Sequence, residues 1–172
     1  QLMIIHRMEL ENWGPFSERR ELEFSRGLNV VYGPNESGKS TVMQGVSTAL
    51  FTRAATGAGP IMSLLAGPHD TTRKGQLVLE FSLRGQRYRV EKRFVGGSGT
   101  TVLAELADSG AATSTQTGET AQARLNELFG TEQQGAGRNT SWRGLWNLVW
   151  VAQGEQRIQP RAKTDFDTAR GA

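Results

Sequence analysis

Leu28-Asn29-Val30-Val31-Tyr32-Gly33-Pro34-Asn35-Glu36-Ser37-Gly38-Lys39-Ser40 reads as an apolar strand that runs into a glycine-framed loop. Leu28 to Tyr32 is mostly apolar on both faces, the pattern of a central strand covered from two sides. The loop meets the spacing G-x-x-x-x-G-K-[ST] in full. Gly33 and Gly38 let the backbone fold tightly, so that successive N–H groups converge on an anion. At that spacing Lys39 would reach the β- and γ-phosphates of a nucleoside triphosphate, and the Ser40 hydroxyl would ligate Mg²⁺. Downstream, Val42, Met43, Val46, Ala49 and Leu50 recur at helical spacing and predict a helix from about Lys39 to Arg53. The positive end of its dipole points at the same phosphates.

Working outward, Met3 to Asn12 alternates as a half-buried strand, with Ile4, Met8 and Leu10 on one face and Arg7, Glu9 and Glu11 on the other. Trp13-Gly14-Pro15 breaks it, and Glu21 to Phe24 makes a second short strand. Ala54 to Gly75 reads as a long loop. Gln76 to Val95 is a hairpin: Leu77, Leu79 and Phe81 alternate before the turn, and Tyr88, Val90 and Phe94 after it. The turn around Arg84-Gly85 must hold an even number of residues for these six to share a face. A third strand follows from about Thr100 to Leu106. Ala111 to Thr117 reads as a low-complexity linker and Ala121 to Phe129 as a short helix. The expected fold is α/β, with a central sheet, the phosphate-loop helix and a flanking antiparallel sheet.

The chain of 172 residues is long enough to bury a core, and its 37% hydrophobic and 22% charged residues are ordinary for a globular domain. No apolar run is long enough for a bilayer-spanning helix, and no membrane is expected. Gln1 and Leu2 precede Met3, which would suit a natural start. With no cysteine there are no disulfides or thiolate metal sites, which suits a cytoplasmic protein. The formal charge is +3, and sixteen of the twenty basic residues are arginine, the side chain suited to bidentate phosphate contacts.

Four features together resemble the N-terminal half of an ABC-type ATPase head of the SMC and SbcC group, coiled-coil ATPases that act on DNA. Asn12-Trp13-Gly14-Pro15-Phe16 is similar to the family's opening loop. Gly33 to Thr41 is close to its version of the phosphate loop, Gln76 to Leu106 to its antiparallel sheet, and Val151-Ala152-Gln153-Gly154-Glu155 to its Q-loop. The resemblance implies ATP and Mg²⁺ as ligands: Gly33, Pro34, Asn35, Glu36, Ser37, Gly38, Lys39, Ser40 and Thr41 around the nucleotide, and Ser40 with Gln153 on the metal. It also implies a C-terminal ATPase lobe on the same or another chain, a homodimer of heads sandwiching ATP, DNA, and a nuclease partner. Residues 3–155 would form the N-terminal lobe, and residues 156–172 the start of a connection toward a coiled coil or a tail. The family's Walker B run ending in Asp-Glu and its Ser-Gly-Gly signature are absent from the sequence. No catalytic residue is therefore expected in this stretch, which reads as half a head.

Other readings stand beside this one. A regulatory module that holds ATP without hydrolysing it would also lack Walker B, and a small NTP-dependent kinase would share the loop. Asn35 is expected near the γ-phosphate and Glu36 toward solvent. Arg84, Arg87, Arg89 and Arg93 fall mainly opposite the apolar face of the hairpin. They are either a solvated face interleaved with Glu80 and Glu91 or a row that meets DNA phosphates without reading bases. Trp142, Trp146 and Trp150, spaced by four, are expected to pack rather than to stack on bases.

Overall fold

The computed structural model describes residues 3–55, 59–65, 74–96 and 98–130. Six strands form one antiparallel sheet in the order β2-β1-β3-β4-β5-β6. They are β1 (Met3–Glu11), β2 (Arg20–Glu23), β3 (Lys74–Leu83), β4 (Gln86–Val95), β5 (Ser98–Leu106) and β6 (Ala112–Thr117). Three helices accompany them: α1 (Lys39–Phe51), α2 (Gly59–Leu65) and α3 (Gly118–Phe129). The chain separates into two compact units, Gln1–Gln122 and Ala123–Ala172. The first holds the whole sheet, and the described part of the second is the remainder of α3.

The β3–β4 hairpin forms as its alternation requires. Arg84 and Gly85, both at positive φ (55° and 82°), make a two-residue turn, and Leu83 pairs with Gln86. Such primed turns match the twist of the strands they join. Phe81 faces Tyr88, their rings stacked at 5.4 Å, and Leu79 faces Val90. This face, with Met8 and Leu10 from β1, is buried against α1.

α1 lies close to the sheet because Gly45 has no side chain: a Cβ there would sit 2.9 Å from both Leu10 Cδ2 and Met8 Cε. Val42, Val46, Ala49 and Leu50 fill the rest of the contact stripe, while Met43 stays half exposed. Trp13 closes the near end of the core, fully buried and tilted against Phe94 at 5.5 Å between ring centroids.

Four expectations need correction. In β1 the register shifts between Ile5 and Arg7, so Ile5 pairs with Phe81 while Ile4 pairs with Ser82. The bulge at His6 moves Ile4 off the face of Met8 and Leu10, because one extra residue reverses the alternation. Ala112–Thr117 is an edge strand rather than a linker: the tight turn at Ala107–Gly110 returns it onto β5 with Leu103 opposite Gln116. Its Thr-rich composition suits a strand, but an exposed edge shows no apolar alternation. Part of the long loop forms α2, which buries Ile61, Met62 and Leu65.

The largest difference is the central strand. Leu28 to Tyr32 forms no strand and stands open to solvent, Leu28 and Tyr32 each 90% exposed and Val30 72%. A strand apolar on both faces is stable only between neighbours. Among the described residues no strand runs beside it, since β1 to β6 pair with one another. The described residues therefore hold the antiparallel sheet and no central strand.

Replacing Gly45 with Leu should lower the unfolding free energy by about 1–3 kcal/mol through overpacking. A urea titration checks this as a shifted midpoint at unchanged slope.

Candidate functional site

Residues 33–38 curl ahead of α1. Ser37 N donates to the Pro34 carbonyl at 3.4 Å, Glu36 adopts a positive φ of 65°, and Gly38 one of 90°. Gly38 is the N-cap, and its carbonyl accepts the first helical bond from Val42 N at 2.9 Å. No side chain caps this end and no acidic residue lies in the first turn. The early N–H groups and the positive end of the dipole thus remain available to an anion.

The Lys39 ammonium turns back into the loop. It donates to the Gly33 carbonyl at 2.9 Å and the Pro34 carbonyl at 2.5 Å, with Ser37 Oγ at 3.5 Å. The curl packs Ser37 against Gly33, where a Cβ would lie 2.9 Å from Ser37 Oγ and the hydroxyl would have to turn away. Asn35 and Glu36 are exposed on the rim, as is Ser40 at the second helical position.

The turn at Trp13–Phe16 supports the loop from behind. It is closed by Trp13 N to Phe16 O at 2.9 Å and Phe16 N to Trp13 O at 3.1 Å. A Cβ on Gly38 would lie 2.5 Å from Phe16 Cζ, and one on Gly14 would lie 2.6 Å from Thr41 Cγ2. Gly14 N also donates to the Leu64 carbonyl of α2 at 2.8 Å, joining a third element to the bracket. Sequence reading found the opening motif as a likeness; the contact itself was hidden, because nothing local in Trp13–Phe16 says which glycine it meets.

Arg84 sits exposed at the hairpin tip, while Arg87, Arg89 and Arg93 occupy the sheet face opposite the core. Glu80 is nearly buried among Arg87 at 3.0 Å, Arg89 at 3.2 Å and Arg7 at 3.4 Å. Arg93 reaches Glu91 at 2.7 Å, and Glu9, also nearly buried, takes Arg19 at 2.6 Å. The arginines are brought together, and much of their charge is met by carboxylates of the same face. His6 contacts Ser82 Oγ at 2.6 Å on this sheet, and burial followed by Arg87 holds its imidazole below the usual pKa. Gln153 and the three tryptophans Trp142, Trp146 and Trp150 lie outside the described residues.

A glycine-framed loop feeding a helix, with its lysine curled inside, is the arrangement of the phosphate-loop NTPase fold. The AAA domain family matches residues 7–158, and the chain belongs to that family. It is 31% identical over 97 residues to the DNA double-strand break repair Rad50 ATPase of Methanopyrus kandleri, covering 56% of this chain and 10% of that protein. It is 24% identical over 132 residues to the Rad50 ATPase of Sulfolobus acidocaldarius, covering 77% and 14%. A 38-residue stretch is 45% identical to the chromosome partition protein Smc of Thermoplasma acidophilum, covering 22% of this chain and 3% of that one. A solved structure from work on ATP-driven dimerization and DNA-stimulated activation of SMC ATPases superposes with a TM-score of 0.53 at 16% identity. It covers 74% of this chain and 78% of its own. In sequence the chain is similar to Rad50 ATPases and in fold to an SMC ATPase, and it spans about a tenth of the Rad50 relatives' length.

Gly38→Ala should lower the melting temperature, since a φ of 90° strains any side chain by roughly 1–2 kcal/mol and the new methyl strikes Phe16. Adding Phe16→Ala removes the collision but not the backbone strain. Thermal melts of the double variant should not return to the Phe16→Ala value.

Proposed function

We propose that this chain is the ATP·Mg²⁺-binding half of a DNA-acting ATPase head. The observation that carries the reading is the Lys39 ammonium held within the Gly33–Gly38 curl at an N-terminus free of acidic side chains. A triphosphate entering the curl would exchange the lysine's carbonyl partners for phosphate oxygens, a charge-assisted and stronger set. The loop N–H groups and the α1 dipole would meet the same oxygens.

Mg²⁺ fits the residues present. A hydroxyl at Ser40, exposed one position after Lys39, is the hard oxygen donor such a cation takes alongside phosphate oxygens. Gln153 would add a second ligand. The ion would neutralise phosphate charge; the chain's own part is to hold and orient the triphosphate. The Walker B Asp-Glu that the family uses for hydrolysis does not occur in this sequence, so turnover belongs to a complete head.

The exposed apolar run Leu28–Tyr32 supports a C-terminal lobe whose strands would flank it and complete the central sheet. A dimer of two such heads around ATP, DNA as the polymer acted on, and a nuclease subunit complete the reading. The relatives' names, DNA double-strand break repair and chromosome partition, support it.

Lys39→Ala should abolish ATP·Mg²⁺ binding without changing the melting curve, because its ammonium, at the start of α1, meets exposed loop carbonyls rather than the core. Isothermal titration decides, and retained binding by the folded variant would overturn the assignment. A second expectation concerns DNA. Arg87 and Arg89 already share Glu80, so in a complete head changing that pair to Glu should flatten the slope of log affinity against log salt by less than the roughly 0.9 per contact expected of a free cation. The same change at Arg84, exposed at the hairpin tip, should approach that full value, while Arg93, paired with Glu91, should fall short of it.

A further inference from the structure

The alternation that sends Tyr88, Val90 and Phe94 of β4 into the core sends Lys92 there too, and its side chain is fully buried. Desolvating an ammonium is costly, and burial pulls its pKa down from 10.5 to about 7. Three neutral oxygens meet it: the Thr48 carbonyl at 3.3 Å, the Thr52 carbonyl, and Gln122 Oε1 at 3.0 Å. Thr48 lies in the last turn of α1, where its carbonyl also accepts from Thr52 N at 3.1 Å, and Thr52 is the C-cap, whose own carbonyl lies past the last helical donor. α1 has no basic residue in its own last turn, so the charge that favours this end of the dipole comes from the sheet. Gln122 belongs to α3, so one ammonium joins three elements.

We propose that Lys92 is a positioning residue for the phosphate loop: it clamps the far end of α1 to β4 and α3, and so sets the helix whose other end presents Lys39 and Ser40. α1 has 13 residues. It is a rod of about 20 Å at about 1.5 Å per residue, so a small tilt or slide at one end is carried to the other. The clamp needs the charged form, because an ammonium has three hydrogens for its three acceptors and a neutral amine has two. Opposite Lys92 across the ladders stand Leu77 and Thr101, neither titratable in this range. The nearest charges along the joined helices, Arg53 just after α1 and Glu119 on the first turn of α3, pair with each other.

The inference rests on the ATP reading, and its test separates the two. Against wild type, Lys92→Met should bind ATP·Mg²⁺ about fivefold more weakly at about pH 6, the low end of ordinary coupling between sites. The ratio should close toward one as pH rises past 7 and wild type loses its ammonium; titration of ATP itself cancels in the ratio. Stability should move the other way. With the folded pKa depressed, the unfolded chain holds the extra proton between about 7 and 10.5. Wild type therefore gains stability over Lys92→Met as pH rises through that window and is flat below it. A lysine that merely packed would move affinity and stability together.

Equal affinities at about pH 6 in a folded variant, or a ratio indifferent to pH, overturns the clamp. Where Lys92→Met does not fold, Gln122→Leu removes one acceptor, and the pH at which affinity falls should then move downward; an unmoved profile overturns it. Wild type that binds no ATP·Mg²⁺ defeats the ATP reading instead. The clamp is then judged on whether wild-type stability rises above pH 7, with a flat profile against it.

Discussion

The close approach of α1 to the sheet is the constraint on which the rest depends. Gly45 permits it, because any larger residue would press on Met8 and Leu10. Once the helix lies that near, its N-terminus falls beside the Trp13–Phe16 turn, and Gly38 must be a glycine twice over. Its backbone is left-handed, and Phe16 occupies the space of a side chain. Its C-terminus falls over β4, where a buried lysine can reach the terminal carbonyls. The phosphate loop is thus shaped by contacts across elements as much as by its own glycines. The motif states which backbone can curl; the sheet decides where the curl faces.

Much of this was legible in the sequence because it follows from period and parity. Alternation alone placed Leu77, Leu79, Phe81, Tyr88, Val90 and Phe94 on one buried face and required an even turn. The helix after the loop emerged from its spacing. The site was legible as a list of loop residues, since the Gly33–Ser40 spacing needs no tertiary information. What escaped had no local signal. The bulge at His6 leaves composition unchanged while reversing the faces of β1. β6 and α2 are short, and neither shows the long apolar pattern that marks a buried element. Lys92 was visible by parity, at an even position among Tyr88, Val90 and Phe94. A charged side chain in that row reads as an exception until its three oxygens are seen.

Leu28–Tyr32 shows a different limit. Its residues describe an environment, apolar neighbours on both faces, rather than an intrinsic preference of the backbone. A strand of this type takes its ladder bonds and its burial from flanking strands, and β1 to β6 are committed to each other. The pattern therefore states what neighbours the segment would need, and among the described residues no strand supplies them.

The two faces of β4 treat charge in opposite ways. Inside, one cation is set among neutral oxygens, where desolvation makes its protonation state responsive near pH 7. Outside, cations and carboxylates alternate across the ladder, so that Glu80 lies nearly buried beneath three guanidinium groups. A carboxylate so covered is stabilised by its neighbours, and each neighbour in turn is drawn toward the sheet and away from solvent. The field beyond such a face is smaller than its arginine count suggests, because opposite charges at about 3 Å cancel at any distance that is long beside their separation. The hairpin tip at Arg84, exposed and projecting past the last paired rung at Leu83 and Gln86, stands apart from these pairs.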